Sequence, residues 1–308
     1  MTTPTANRYG SSGDPLVMTL LVRDEADIIR QNIEFHLSRG VDHVIATDNA
    51  STDGTTDILE EFARAGCLSL IREPSNDYRQ MAWVNRMIAL ATEKFGEIWL
   101  INNDADEFWR PPDNSEGRVG NLRDVLTASP SPSVLCRRRN MITSPDRLGA
   151  KAWSEALVWR SMIETRPNAA ELARPEPMEH PFFCYNLPNK VLMHSRNLVS
   201  VTKGCHSATF RDPVKPVDLG IEIFHYPIRS ISEFTASVTH IYRAILRDVD
   251  RKPQESTKYI RWANILERTG STRKLVEDAL PTRSQLWRYR LSGKLVKDHR
   301  MRNDLAGI

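Results

Sequence analysis

The regular alternation of short apolar runs with amphipathic segments over the first 110 residues constrains this chain more than any other feature. Strand-like runs at 16–22, 43–47, 67–72 and 97–102 are separated by helical patterns at about 25–38, 54–65 and 79–95. Ile29, Ile33, His36 and Leu37 share one face of the first helical pattern; Met81, Val84, Met87, Ile88 and Ala91 share one face of the third. An order of βαβαβαβ predicts an α/β fold with a mainly parallel sheet and helices on both faces. In open sheets of this kind, ligands bind outside the carboxyl ends of the strands. Arg23, Asp24 and Glu25 stand at the first such end and Asp48 and Asn49 at the second. Glu73 and Asp77 follow the third, and Asp104 and Asp106 the fourth. One polar edge collects all of them.

The fourth run, Trp99-Leu100-Ile101-Asn102-Asn103-Asp104-Ala105-Asp106-Glu107-Phe108-Trp109, ends in an Asp-x-Asp pair and a third carboxylate. Strand side chains alternate, so Asp104 and Asp106 can point the same way. Carboxylates that close repel unless a cation lies between them. A hard divalent ion, completed by phosphate oxygens and water, is the usual answer. An acidic turn that merely closes a buried strand would look the same in isolation; the other polar strand ends favour the metal. The stretch Thr47 to Thr55 follows the second strand and opens a helix, with Thr52 or Asp53 placed to cap it and Gly54 permitting a tight turn. No Gly-x-Gly-x-x-Gly follows the first strand and no Gly-Lys-Ser/Thr occurs, which counts against dinucleotide-binding and P-loop sites.

The chain has 308 residues, 40% of them hydrophobic, enough for one substantial core or two modest ones. Its longest apolar stretch, Leu16 to Val22, is too short to cross a bilayer and runs into Arg23-Asp24-Glu25 with no small-residue cleavage site, as a strand does and a signal peptide does not. Cys67, Cys136, Cys184 and Cys205 are far apart and form no Cys-x-x-Cys, so free thiols in a reducing cytoplasm are expected. Residues 1–117 carry 10 Lys/Arg against 20 Asp/Glu, whereas residues 118–308 carry 32 against 19. An acidic half facing a basic one suits a metal site opposed to an anion-holding surface. Beyond Pro111-Pro112 the pattern loosens: a short helix at 119–128, strands near 133–139, 189–194, 198–202 and 221–226, and long loops over 143–188. Residues 230–302 return to helix with breaks near Pro253, Gly270 and Pro281.

Three segments, Leu21-Val22-Arg23-Asp24-Glu25, Asp48-Asn49-Ala50-Ser51-Thr52-Asp53-Gly54-Thr55 and Asp104-Ala105-Asp106-Glu107-Phe108, resemble in order and spacing the family-2-type glycosyltransferases with the GT-A fold. The closest pattern is a subgroup with an Asp-x-Asp-Glu-Phe signature, which Lys203-Gly204-Cys205-His206 and Phe224-His225-Tyr226-Pro227, followed by Arg229-Ser230, also resemble. The similarity covers roughly residues 15–245. It implies a GT-A domain over 15–230 with a nucleotide-sugar half (15–110) and an acceptor half (111–230); the residue pattern itself reads as a disordered leader over 1–14 and a helical C-terminal region over 231–308.

The resemblance further implies that Leu21, Val22, Arg23, Asp48 and Asn49 line the nucleotide pocket. Asp104 would approach the ribose or a metal water, and Asp106 would bind Mn²⁺ or Mg²⁺ directly. Many members of the family have two acids where Asp48-Asn49 stands. Asn49 offers a donor where a carboxylate only accepts, so their base preference does not transfer. A late histidine often completes the metal site. His225 ends the alternation Ile221-Glu222-Ile223-Phe224 before a proline turn and is the favoured ligand. His206, after the permissive Gly204, is expected at the donor phosphates or the acceptor. Transfer with inversion would need a base; Glu164, Glu179 and His180 lie in the right region, and Glu179 is the candidate.

The expected partners are a nucleotide-diphosphate sugar and a hydroxyl-bearing acceptor, whether glycan, lipid or small molecule. Nucleic acid is not expected, because Arg137-Arg138-Arg139 on an alternating strand makes no binding stripe. Trp287-Arg288-Tyr289-Arg290-Leu291-Ser292-Gly293-Lys294-Leu295-Val296-Lys297 reads as a helix packing Trp287 and Leu291 on the core, or as a peripheral contact with the inner face of an anionic membrane. Two rivals stay open. A sugar nucleotidyltransferase would share the sheet and carboxylates, but its Gly-rich basic loop after the first strand is missing. A non-catalytic sugar-nucleotide-binding protein would have no need of Asp104, Asp106 and both histidines.

Overall fold

The computed structural model describes residues 13–74, 80–149, 152–247 and 256–308. All but the last two residues of the expected leader, together with Asp77 and the break expected near Pro253, lie outside the described residues. The first half alternates as the sequence predicts: β1 (Leu16–Val22), α1 (Ile29–Ser38), β2 (His43–Asp48), α2 (Thr55–Arg64), β3 (Leu68–Arg72), α3 (Gln80–Phe95) and β4 (Trp99–Asp104). These strands lie in the order β3-β2-β1-β4, all parallel. Leu21 pairs with both Thr47 and Asp104, and Val22 with Asp48, so three of the polar strand ends lie side by side. Both faces of β1 are covered. Leu16, Met18, Leu20 and Val22 pack with Ile29, Ile33 and Phe35 of α1; Val17 packs with Val84, Met87 and Ala91 of α3.

Next come β5 (Glu107–Arg110), α4 (Leu122–Thr127), β6 (Ser133–Ile142), α5 (Trp153–Ala156), β7 (Trp159–Ser161), α6 (Ala169–Ala173), β8 (Lys190–His194), β9 (Leu198–Val201), β10 (Ala208–Phe210) and β11 (Val217–His225). Here the sheet becomes mixed. β8 is antiparallel to β4, β6 to β8 and β7 to β6, while β11 runs parallel to β6 and antiparallel to β5. The short elements inside 143–188 escape the sequence pattern because three to five residues set no period. β5 escapes it because it resumes two residues after β4. Its consequence is large: β5 lays Glu107 opposite His225, and the Tyr226 amide donates to Asp106 O at 2.8 Å.

The C-terminal helices α7 (Ile231–Arg247), α8 (Thr257–Thr269), α9 (Thr272–Ala279) and α10 (Arg283–Leu291) build a separate core, in which Trp262 packs with Phe182, Phe183, Phe234, Val238 and Leu275. The breaks fall where the sequence places them. Gly270 caps α8 at φ 61, and a Thr282/Gln285 capping box opens α10 after Pro281. The end of the chain then departs from a purely helical extension. β12 (Leu295–Lys297) pairs antiparallel with β7, and α11 (Arg300–Leu305) sends Met301 into the first core. Trp287 and Leu291 do not pack on a core; they are 50% and 82% exposed. The described helices include none long and apolar enough to cross a membrane. In outline this is the expected α/β architecture, a sheet parallel in its first half and flanked by helices, but mixed beyond β4 in place of the mainly parallel sheet expected.

A buried polar clamp holds the turn between β4 and β5. Asn32 on α1 donates through Nδ2 to the carbonyls of Ala105 and Glu107 (2.9 and 2.8 Å) and accepts from Asn103 Nδ2 at 2.9 Å. Asn103 Oδ1 in turn accepts from Trp109 Nε1 at 2.8 Å. One turn along α1, His36 accepts from the Trp109 amide through Nε2 (3.1 Å), and its Nδ1 donates to Asn32 O (2.7 Å). Burial pushes the His36 imidazole down to about 4, so it stays neutral and can accept. Asn32→Ala strands two buried carbonyls and should lower unfolding stability by about 1–3 kcal/mol or more. Urea denaturation with an unchanged midpoint would contradict the clamp.

Candidate functional site

Two loops at the carboxyl ends of β1 and β2 are laced together. Asp24 takes a left-handed conformation at φ 53 and accepts from the Thr52 amide at 2.7 Å, while its own amide donates to Ser51 Oγ at 3.0 Å. Asp53 accepts from the Ala26 amide (2.9 Å), and Thr55 Oγ1 accepts from the Glu25 amide (2.8 Å). Asp48 is enclosed by donors of its own loop: Oδ1 accepts from Ser51 Oγ at 2.6 Å and Oδ2 from Thr56 Oγ1 at 2.5 Å. Asp48 therefore shapes the loop with the carboxylate expected to meet a nucleoside. Beside it, Thr47 Oγ1 and Asn49 Oδ1 are buried without a hydrogen-bond partner. Leu21 and Arg23 are partly exposed at this edge, Val22 is buried, and the Arg23 guanidinium stands 3.6 Å from Asp24.

At the end of β4, carboxylates and cations alternate. Lys190, the first residue of β8 and 1% exposed, lies 2.7 Å from Asp104 and 2.5 Å from Glu107. Arg138 on β6 reaches Glu107 at 3.1 Å. Burial would raise the Asp104 carboxyl, but Lys190 holds it below its ordinary value against the charge of Asp106. One oxygen of Asp104 is thus engaged by an ammonium at the place where a ribose, a metal or its water is expected. Asp106 faces His225 instead, with Oδ2 and Nε2 3.3 Å apart. Burial works against the Asp106 charge too, yet His225, with Arg229 and Lys190, holds its carboxyl well below the usual carboxylate range. His225 Nδ1 donates to Asn140 Oδ1 at 2.8 Å. With Nδ1 committed to Asn140, Nε2 faces Asp106 either as a proton donor to the carboxylate or, once that proton is displaced, as a ligand for a cation held between the two.

Arg229 closes the cluster from the other side, 2.5 Å from Glu25 and 2.6 Å from Asp27. Burial pushes the Glu25 carboxyl up to about 8 against the pull of Arg229, and the charges of Asp106 and Asp27 add to the rise. His206 borders the Asp104 side: its Nδ1 donates to Asn189 O at 2.9 Å, next to Lys190. Gly204 is required there, since at φ 71 a Cβ would stand 2.8 Å from His206 Nε2. Glu179 does not join the cluster. It is 77% exposed beside His180, which is buried against Tyr289, while Glu164 is exposed elsewhere. Sequence reasoning missed Lys190, Arg138 and Asn140, whose strands pattern as ordinary core. Of these only the lysine carried a signal, a lone charge opening an apolar run.

Residues 20–128, about a third of the chain, match the family described as Glycosyl transferase family 2. No curated protein matches the chain. Among solved structures, residues 1–349 of S. aureus TarS in complex with UDP align with TM-score 0.37 and 11% identity, covering 82% of this chain and 72% of that one. The same protein in complex with UDP-GlcNAc gives TM-score 0.37 and 10% identity over 82% and 73%.

Removing one partner from a buried ion pair costs about 3–5 kcal/mol, because the other charge stays buried. Lys190→Met should destabilise the protein by that order at pH 7. Asp104 has a depressed carboxyl, so its contribution is present above the ordinary value of 3.8 and is lost as pH falls below it. The stability gap between wild type and Lys190→Met should therefore narrow as pH drops through that value. Chemical denaturation at a series of pH values measures it, and a gap that widens on acidification would contradict the ion pair.

Proposed function

We propose that this chain, which carries a family 2 glycosyltransferase segment over residues 20–128, moves a sugar from a nucleoside-diphosphate donor to a hydroxyl acceptor using Mg²⁺ or Mn²⁺. The observation that carries the metal reading is the Asp106–His225 pair, its imidazole oriented by Asn140 and its Nε2 aimed at a carboxylate. A carboxylate oxygen and an imidazole nitrogen suit a divalent ion of this kind, Mn²⁺ somewhat better than Mg²⁺. Among the described residues no three His, Cys, Asp or Glu side chains gather as a metal site, so diphosphate oxygens and water would complete the shell. When bound, the ion neutralises the charge that grows on the departing diphosphate.

The chain's own residues support the remaining roles. The orphaned Thr47 Oγ1 and Asn49 Oδ1 at the end of β2 offer partners to a nucleoside, which would relieve their burial. A cleft of about 850 Å³ along α7, lined by Ser230, Ser232, Thr235 and Arg243 and by the apolar Leu148 and Ile231, begins at the residue after Arg229 and has room for an acceptor. Inverting transfer asks for a base beside the acceptor hydroxyl. Glu25 fits this better than Glu179, since it is paired with Arg229, whose neighbour Ser230 lines that cleft, lies within reach of the Asp106 charge and has its carboxyl pushed up to about 8.

A bound donor raises apparent stability by mass action, about 2.7 kcal/mol at a hundredfold excess over Kd. Thermal shift with UDP-, GDP- and dTDP-sugars should show stabilisation by one donor class that requires Mn²⁺ or Mg²⁺, and Asp106→Asn should abolish it while melting close to wild type. Stabilisation that survives in Asp106→Asn would contradict the metal assignment. Glu25→Gln should cut transfer at least about a hundredfold, the low side of the range for a lost general base, while donor binding stays within about twofold. Undiminished transfer would remove Glu25 from the base role.

A further inference from the structure

We propose that Lys258, the second residue of α8, supplies the ammonium that binds the diphosphate of the donor. The proposal rests on the donor-site reading above and extends it to a part of the chain outside the matched segment. Lys258 Nζ lies over four rings: Tyr259 at 4.8 Å, Phe182 at 5.6 Å, Trp262 at 5.8 Å and Phe183 at 6.0 Å. The ring of Phe183 stands 5.8 Å from that of His225, so this aromatic box borders the Asp106–His225 pair. The charges of Asp106, Asp104 and Glu107 all act on Lys258.

The other cations at this edge are committed. Lys190 serves Asp104 and Glu107, Arg138 serves Glu107, and Arg229 serves Glu25 and Asp27. Among the described residues no carboxylate lies within ion-pair distance of Lys258. Burial in the box, with Arg138 nearby, draws its ammonium down to about 8, so it remains largely charged at neutral pH. Rings can partly replace water around an ammonium, but they leave its charge uncancelled. A cation held half-dry beside the Asp106–His225 pair, with no carboxylate partner among the described residues, is suited to an anion that arrives with the ligand. The diphosphate is the anion that the same pair would bring there, and an anionic group on the acceptor is the other source the test must separate.

Lys258→Met keeps the aliphatic stem in the box and removes the charge; Lys258→Arg keeps the charge. Calorimetric titration of both variants and wild type with UDP, GDP and dTDP, and with uridine, guanosine and thymidine, all in Mn²⁺, tests the assignment. Lys258→Met should weaken whichever diphosphate wild type binds by about ten- to a hundredfold, the value of a charge-assisted hydrogen bond. Its nucleoside affinity should be unchanged, and Lys258→Arg should stay within a few-fold of wild type. If Lys258→Met binds the diphosphate like wild type, the assignment is overturned and the cation serves the acceptor or the packing of α8. If nucleoside and diphosphate affinities fall together, the role is structural and the assignment is again overturned. A wild type that binds none of the three diphosphates overturns the donor reading itself, and this assignment with it.

Discussion

Glu25, Asp104, Asp106 and Glu107 crowd one sheet edge, and the structure depends on how their repulsion is met. Glu107 is fully buried, and a charge in that position is tolerable only with partners in good geometry. Those partners come from the second half of the chain: Lys190 from β8, Arg138 from β6, His225 from β11 and Arg229 just beyond it. The first half of the chain supplies the carboxylates and the second half the groups that pair with them. Docking the halves and assembling the site are therefore one event. The charge asymmetry along the sequence is the outward trace of this division.

Geometry at the edge is set by neutral groups. Asn32 and His36, one helical turn apart on α1, fix the backbone of the turn that carries Asp104 and Asp106. Tyr226 holds the Asp106 carbonyl from β11, and Asn140 fixes the orientation of His225. Other carboxylates at the edge do structural work: Asp48, Asp24 and Asp53 hold their own loops, and Glu107 is locked by Lys190 and Arg138. Asp106 and His225 are left facing each other, an oxygen and a nitrogen that together can take a divalent ion, which is the basis of the metal-assisted transfer proposed for this edge.

The first half was largely legible in the sequence because its helices and strands are long enough to set a period, and because parallel strands of an open sheet deliver their ends to one side. That logic placed Arg23, Asp48, Asn49, Asp104 and Asp106 at a common edge, and the family resemblance added His225. It failed where pairing, and not periodicity, decides the structure. β5, β7 and β12 are three or four residues long and exist through their neighbours. Glu179 was chosen by region alone, and the chain there turns outward on an exposed loop. Lys190 and Lys258 could not be ranked among many cations, because what distinguishes them is burial and partners, which only the folded chain supplies.

Release of nucleoside diphosphate from UDP-, GDP- and dTDP-sugars, followed with Mn²⁺ and again after chelation with EDTA, tests the central claim most directly. Metal-assisted departure of the diphosphate predicts slow release from one donor class even without an acceptor, abolished by EDTA and restored by excess Mn²⁺ or Mg²⁺. Release at the same rate in EDTA, or none from any donor in the presence of metal, would contradict it.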